Sequence, residues 1–415
     1  MTGYQQILNT AWPSSLDSFE GVPDIFEPRV HPAHRPKWQR MPHEALVWLG
    51  GVLPGVALAA ILAFFGKLLA DWIGFNVLHF DREKGSPISP IMLAIFLGLL
   101  IRNTVGVPVA YEQGLRFCLK AVLRIGIVLL GLKLSLGVLG QIGLIGLPII
   151  IVCIATALIA VTFINRALGL PKRLGTLIAV GTSICGVSAI VATAPVIDAE
   201  EDETSYAVAC ITIFGMLALF IYPFVAHALF PDPQMAGLFL GTAIHDTSQV
   251  AGAGLMYKQQ YSSDGALRTA MAVKLMRNVA MAALIPLMSI LYHRSQGGSG
   301  GGVTAGRMKH KWRDLVPMFV IGFLAMACLR TIGDVGGDRP FGFLSRASWN
   351  AITHQVDLAA VWCLMLAMAS VGLATGLTKL KNLGWKPFSV GFTAALLVGG
   401  VSAVLVKLLA PMLIR

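Results

Sequence analysis

From Leu46 to the C-terminus the chain is a succession of apolar stretches separated by short polar joints. The stretches at 46–70, 88–102, 114–138, 142–165, 203–228, 266–292, 314–332, 349–378 and 388–413 read as membrane helices, because a helix needs about 20 apolar residues to cross a hydrocarbon core. Two further apolar segments, 172–198 and 234–258, are interrupted. Gly181-Thr182-Ser183-Ile184-Cys185-Gly186-Val187-Ser188 and Gly241-Thr242-Ala243-Ile244-His245-Asp246-Thr247-Ser248 place glycine and hydroxyl residues where a plain membrane helix carries Leu or Val. The pattern predicts an all-α polytopic membrane protein of about 9–11 transmembrane segments. The two Gly-interrupted segments are either re-entrant hairpins or broken spanning helices.

The interrupted segments echo each other sixty residues apart. Gly131–Leu136 is echoed by Gly372–Leu377, and Ala207–Pro223 more weakly by Ala270–Pro286. If both interrupted segments are hairpins, the matched spans at 203–228 and 266–292 run in opposite directions, as do 114–138 and 349–378. Spanning broken helices make the first pair parallel and the second antiparallel. Inverted repeats throughout is the simpler symmetry and favours hairpins.

Composition then sets the domain organisation. Of 415 residues, 56% are hydrophobic and 13% charged, which leaves no block for a separate soluble domain. Residues 1–44 read as a polar cytoplasmic tail without a signal-peptide pattern, and 45–415 as a single membrane transporter domain. The charge behind the net +11 gathers in four short places. These are Arg29, Arg35, Lys37 and Arg40; Arg166, Lys172 and Arg173; Arg307, Lys309, Lys311 and Arg313; and Lys379, Lys381 and Lys386. Between apolar spans, such clusters mark cytoplasmic loops, among them the Gly-rich loop near 294–312. No aromatic-interleaved basic face supports nucleic-acid binding. Cys118, Cys153, Cys185, Cys210, Cys328 and Cys363 lack metal spacing and read as buried thiols. The acidic run Asp198–Glu203 reads as a solvated loop, and Lys120, Arg124 and Lys133 as side chains that snorkel. No cofactor motif is present, and Ser248 three residues after His245 makes a weak case for an enzyme.

The interruptions carry the chemistry. A half-helix start inside a membrane frees backbone N–H groups at the positive end of a helix dipole, a setting for an anion. Thr182, Ser183, Ser188, Thr242, Thr247 and Ser248 add neutral donors, with Cys185, Gly186 and Gln249 in the same turns. Small residues also serve tight helix packing, but two matching segments favour a substrate site. Lys274, Arg277 and Asn278 share one helical face inside an apolar run, where charge is costly. They balance an anion, or pair with Asp246 or Asp357. His245 and Asp246 suit proton coupling, or a hydrogen-bond cluster that satisfies the broken backbone.

These residues also carry a resemblance. Gly181–Ile190 followed by Ala194-Pro195-Val196-Ile197 closely resembles the YeiH family of bacterial inner-membrane proteins, which bears a sulfate-exporter label. Ile244-His245-Asp246-Thr247-Ser248-Gln249-Val250 is similar to its Ile-His-Glu-x-x-Gln-Val element, with Asp in place of Glu. Lys274-Leu275-Met276-Arg277 is similar to its Lys-Leu-x-Arg element. The resemblance covers roughly 46 to 412 and leaves the tail unplaced. It implies a bacterial inner-membrane location, inverted repeats, and kinship with cation/proton antiporters and bile-acid symporters. By fold analogy it implies movement of the hairpin-bearing bundle against the other helices. The shorter Asp alters any inherited proton-coupling geometry. The combined expectation is a coupled secondary transporter, an exporter of sulfate-, sulfite- or sulfonate-like anions, with a cytoplasmic N-terminus and the option of a homodimer. The rivals are a sodium- or proton-linked cation antiporter using Asp246 and Asp357, and an uncoupled anion channel.

Overall fold

A computed structural model describes residues 37–79, 86, 88–281, 283–284, 287–288, 318–337, 339–376 and 385–412. The tail before Lys37 and the Gly-rich loop lie outside the described residues. Of the described residues, those up to Leu49 fall in one unit and those from Gly50 onward in another. The first helix already begins at Lys37, inside the stretch expected to be a polar tail: α1 is Lys37–Trp72.

The chain continues through α2 (Pro90–Thr104), α3 (Val109–Phe117), α4 (Leu123–Leu130) and α5 (Leu136–Ala167). A π-helical turn at Cys118–Val122 joins α3 to α4, and a 3-10 turn at Gly131–Lys133 ends α4. Then come α6 (Lys172–Ser183), α7 (Val187–Thr193), α8 (Glu201–Leu229), α9 (Pro233–Ala243), α10 (Thr247–Tyr261) and α11 (Asp264–Val279). The last helices are α12 (Met318–Val335), α13 (Arg346–Ala374) and α14 (Trp385–Leu409). Among the described residues, six helices are long and apolar enough to cross a membrane: Leu46–Val77, α5, α8, α12, α13 and α14. The other expected spans are shorter pieces. The 114–138 stretch is divided by the π turn, and 266–292 is continuous helix only to Val279.

Both interrupted segments are broken helices in which the chain doubles back. Arg173 at the start of α6 lies 3.4 Å from Glu200 at the start of α8. A Cβ on Gly181, near the end of α6, would meet Ile211 of α8 at 3.0 Å and Ile190 of α7 at 2.8 Å. So α6 and α8 run side by side in the same direction, while α7 returns against α6. In one straight helix, positions nine apart such as 181 and 190 would be about 13 Å apart. The second segment repeats this. Gly265 at the start of α11 faces Pro233 of α9, Gly237 faces Ala266, and Gly241 faces Ala270 and Val273. Thus α9 runs parallel to α11. Meanwhile α10 returns beside α11, with Gly254 against Leu267. Since α8 runs from Glu200 to the loop that starts α9, the two doubled-back segments come from opposite ends of α8.

Caps specify where these helices start. Glu200 and Glu203 form a capping box at α8, and Asp232 accepts from the Gln234 N–H at 2.8 Å ahead of Pro233. The acidic run Asp198–Glu203 is therefore a helix start as well as a loop. Helices α5 to α11 pack together with α14, while α2, α3, α4, α12 and α13 form a second bundle. Close backbone approach holds each bundle: Gly98 of α2 sits against Ala369 and Gly372 of α13, as Gly237 and Gly241 sit against α11. Four cysteines are buried, and Cys328 and Cys363 are half-buried.

Candidate functional site

The doubled-back segments meet tip to tip. In the first, α6 ends at Ser183 and Gly186 turns the chain with φ +73° and ψ −128°. Only glycine adopts that conformation without strain. The Gly186 N–H donates to the Gly181 carbonyl at 3.0 Å. In the second, Ile244 and Asp246 are extended (ψ 138° and 145°) between α9 and α10. A Cβ on Gly186 would stand 2.9 Å from Asp246 Oδ2 and 3.2 Å from its Cα, so the tips are in contact.

Lys274 and Arg277 of α11 are fully buried behind these tips. Lys274 Nζ donates to the carbonyls of Ile184 (3.0 Å), Ile244 (3.1 Å) and His245. Arg277 donates through Nε to Ser183 O (2.8 Å), through Nη1 to Thr242 O (2.8 Å) and Ile244 O (3.2 Å), and through Nη2 to Thr182 O. A broken helix leaves its last carbonyls unpaired, and in hydrocarbon they cannot turn to water. The two cations therefore cap the C-terminal ends of α6 and α9 together. All three Lys274 donors are engaged by these carbonyls. Neither cation forms an ion pair among the described residues. Asp357, one of the acids considered for that role, is bound to Lys133 and Lys258 instead.

The hydroxyls divide into two groups. Thr182 and Ser183 donate back to Ile178 O (2.8 Å) and Ala179 O (2.5 Å) of their own helix, and both are buried. Their carbonyls serve the site, while their hydroxyl protons are already spent on α6. Thr242 bonds Leu238 O and Ser402 Oγ. By contrast Ser188 is exposed, and Asp246, Thr247 and Ser248 are half-buried, so these four line the accessible side of the tips. Cys185 is buried, with its sulfur 3.7 Å from Met281 Sδ.

Asp246 is the N-cap of α10. Its Oδ1 accepts from Ser248 N (2.8 Å) and Ser248 Oγ (2.5 Å). Gln249 completes the capping box by accepting from the Asp246 N–H at 3.2 Å, and its amide donates to Thr212 O at 3.4 Å. Asn278 Nδ2 donates to Thr247 Oγ1 at 3.1 Å, while its buried Oδ1 finds no partner among the described residues. His245 is buried, and its Nδ1 likewise has no partner among the described residues. The structure thus brings Gly186, Asp246, Thr247, Ser248, Lys274, Arg277 and Asn278 to one place, with His245 and Gln249 packed behind.

Sequence reasoning missed the destination of Lys133. Instead of snorkelling it binds Asp264 and Asp357, each at 2.8 Å. Arg124 lies 5.7 Å from the Phe319 ring.

Long apolar helices around two opposed, interrupted segments define a multi-pass membrane protein. The chain belongs to the family described as conserved hypothetical protein 698, whose pattern matches residues 54–391. It is 30% identical over 343 residues to a UPF0324 membrane protein of Nitratidesulfovibrio vulgaris, covering 83% of this chain and 89% of that one. It is 30% identical over 365 residues to the UPF0324 membrane protein Atu0671 of Agrobacterium fabrum, covering 88% and 95%. The UPF0324 inner membrane protein YeiH of Escherichia coli is 28% identical over 359 residues, covering 84% of this chain and 92% of YeiH. The resemblance drawn from Gly181–Ile190 and Ile244–Val250 thus holds across most of the chain.

Proposed function

We propose that the protein is a secondary transporter of a small anion in the bacterial inner membrane, with the meeting point of the hairpin tips as its substrate site. The observation that carries this reading is the charge balance at the tips. Lys274 and Arg277 bring two buried positive charges. The two helix C-termini they cap offset roughly half a charge each. The N-terminus of α10 at the same tips adds back about half a charge, so a positive surplus remains, and in this state Asp246, the carboxylate that caps α10, answers it. When Asp246 takes a proton the surplus returns, beside the exposed or half-buried Ser188, Thr247 and Ser248. An anion then replaces the carboxylate as counter-charge, so anion and proton are taken up together.

Two further observations support it. The shared direction of α6 with α8, and of α9 with α11, favours re-entrant hairpins from opposite membrane faces, the inverted symmetry found in many transporters. The engagement of Asp357 with two lysines takes up the second carboxylate that cation antiport would need beside Asp246 among the described residues, which disfavours that reading. The similarity to an inner membrane protein of Escherichia coli supports the location.

Purified protein in liposomes tests the proposal through uptake of labelled sulfate, sulfite and methanesulfonate. Uptake of at least one should rise when the proton gradient drives protons with the anion. Asp246→Asn, permanently neutral, should bind that anion and lose the response to pH. Flux that ignores both pH and sodium gradients would make the protein a channel. Absence of flux for every anion under every gradient would defeat the anion reading.

A further inference from the structure

We propose that Lys133, Lys258, Asp264 and Asp357 form a charge lock that clasps the two bundles together and closes the path from the hairpin tips to the Asp264 end. Lys258 (α10) and Asp264 (α11) belong to the hairpin-bearing bundle; Lys133 (the 3-10 turn after α4) and Asp357 (α13) belong to the other. The four make a closed ring in which every charge touches two of opposite sign. Lys133 lies 2.8 Å from Asp264 and 2.8 Å from Asp357; Lys258 lies 2.7 Å from Asp264 and 3.0 Å from Asp357. Two sides of the ring cross between bundles. The other ion pairs found among the described residues, Arg116–Glu112, Arg173–Glu200, Arg330–Asp334 and Arg346–Asp334, each stay within one bundle.

Polar contacts beside the ring reinforce the same end. Arg268 donates to Lys133 O at 3.1 Å and to Asp264 O at 3.2 Å. Gln259 of α10 accepts from Ser89 Oγ (2.8 Å) and Ile91 N (3.2 Å) at the start of α2. Thr331 of α12 accepts from Leu136 N at 2.8 Å, at the start of α5.

The two kinds of packing explain why this is a lock and not ordinary cohesion. Within each bundle Gly98, Gly237 and Gly241 bring backbone against backbone, a contact that slides only by breaking. Between bundles, Gly252 of α10 faces the Met368 side chain of α13, a flexible thioether that re-packs readily. Ion pairs 11–37% exposed hold by modest, reversible energies, the right kind for a clasp that must open. The ring lies about 15 Å from the tips, since Asp264 precedes Lys274 by ten positions on one helix. Its part in transport rests on the reading above; the clasp itself does not.

Spin labels test the clasp without any transport readout. The pair Gln234→Cys on α9 and Gln355→Cys on α13 would be placed in the full chain, with Cys328 and Cys363 replaced by Ser, in nanodiscs. The intact lock should give one dominant distance. Asp357→Asn and Lys258→Gln should each raise the share of a longer distance about tenfold, the effect of a clasp worth about 1.4 kcal/mol. Asp357→Glu should keep the short distance, and Glu112→Gln, in a pair inside one bundle, should change nothing. The unmutated lock offers a check independent of folding. Raising salt from about 0.05 to about 1 M weakens these partly exposed pairs and should shift the distribution the same way, by less than either neutral variant. Unchanged distances in both neutral variants, or unchanged distances at high salt if those variants do not fold, overturn the lock.

Discussion

Gly186 gives the sharpest test of the tip geometry, because strain and contact can be separated there with other glycines. At φ +73° and ψ −128° an alanine costs about 1–3 kcal/mol in backbone strain alone. Its Cβ would also sit 2.9 Å from Asp246 Oδ2 and 3.2 Å from Asp246 Cα. The oxygen can swing away, but the Cα moves only if the second tip moves. Two other glycines isolate the terms. Gly106 has φ +83° with nothing within 4 Å of a Cβ, so Gly106→Ala carries strain without a clash. Gly140 lies in α5 with open space and ordinary helical φ, so Gly140→Ala should be neutral or gain up to about 1 kcal/mol from helix propensity.

The expected order of thermal stability in detergent is Gly140→Ala at or above wild type, Gly106→Ala lower, and Gly186→Ala lowest. Function should split more sharply. Gly106→Ala should transport normally at temperatures where it stays folded, while Gly186→Ala, assayed under the same conditions, should lose anion uptake or its pH response. Wild-type uptake by folded Gly186→Ala would refute the claim that the tips must meet at Asp246. Equal stability losses at 186 and 106 would show that the Asp246 contact adds nothing.

Arg277→Lys should behave as a severe change. Lysine has three donors and no planar fork, so it cannot reproduce four bonds to carbonyls of two different segments; at about 1.5–3 kcal/mol for each charged hydrogen bond lost, folded yield by size-exclusion chromatography should fall well below wild type. Glu200→Ala should cost about 0.5–2 kcal/mol in thermal stability through loss of the α8 cap. Membrane-impermeant thiol labelling of Glu201→Cys should proceed from the same side as a label in the N-terminal tail; labelling from the opposite side would turn the first hairpin into a spanning broken helix.

The breaks were legible because their chemistry is local. Glycine and hydroxyl residues inside an apolar run located 172–198 and 234–258, and the broken helices fall at 172–196 and 233–261. The Asp246-to-Gln249 spacing is a readable capping box, the form taken by the hydrogen-bond cluster expected to satisfy the broken backbone. The back-bonding of Thr182 and Ser183 is equally local, four residues upstream in each case. The fate of Lys274 and Arg277 was not legible. Their spacing puts both on one helical face, but whether that face meets a ligand, a carboxylate or helix ends depends on which tips α11 packs behind. The pairing of Lys133 with Asp357 joins residues more than 200 positions apart, and no local pattern announces it.

Helix α11 connects the two arrangements of charge. It carries Asp264 and Arg268 at the lock, and Lys274, Arg277 and Asn278 at the tips, on sixteen residues of continuous helix. A helix this short transmits displacement as a rigid rod, so a shift that opens the lock also moves the cations against the carbonyls they cap. Energetic coupling is reciprocal: if loss of the lock changes anion affinity, a bound anion must change lock occupancy by the same factor. Asp246 then has a reason to lie on the second doubled-back segment, whose α10 carries Lys258 and leads directly into α11 with Asp264. The first doubled-back segment, neutral at its tip and tied to α8, contributes the turn at Gly186 and the carbonyls of Thr182, Ser183 and Ile184. The unequal chemistry of the two tips matches their unequal attachment to the lock.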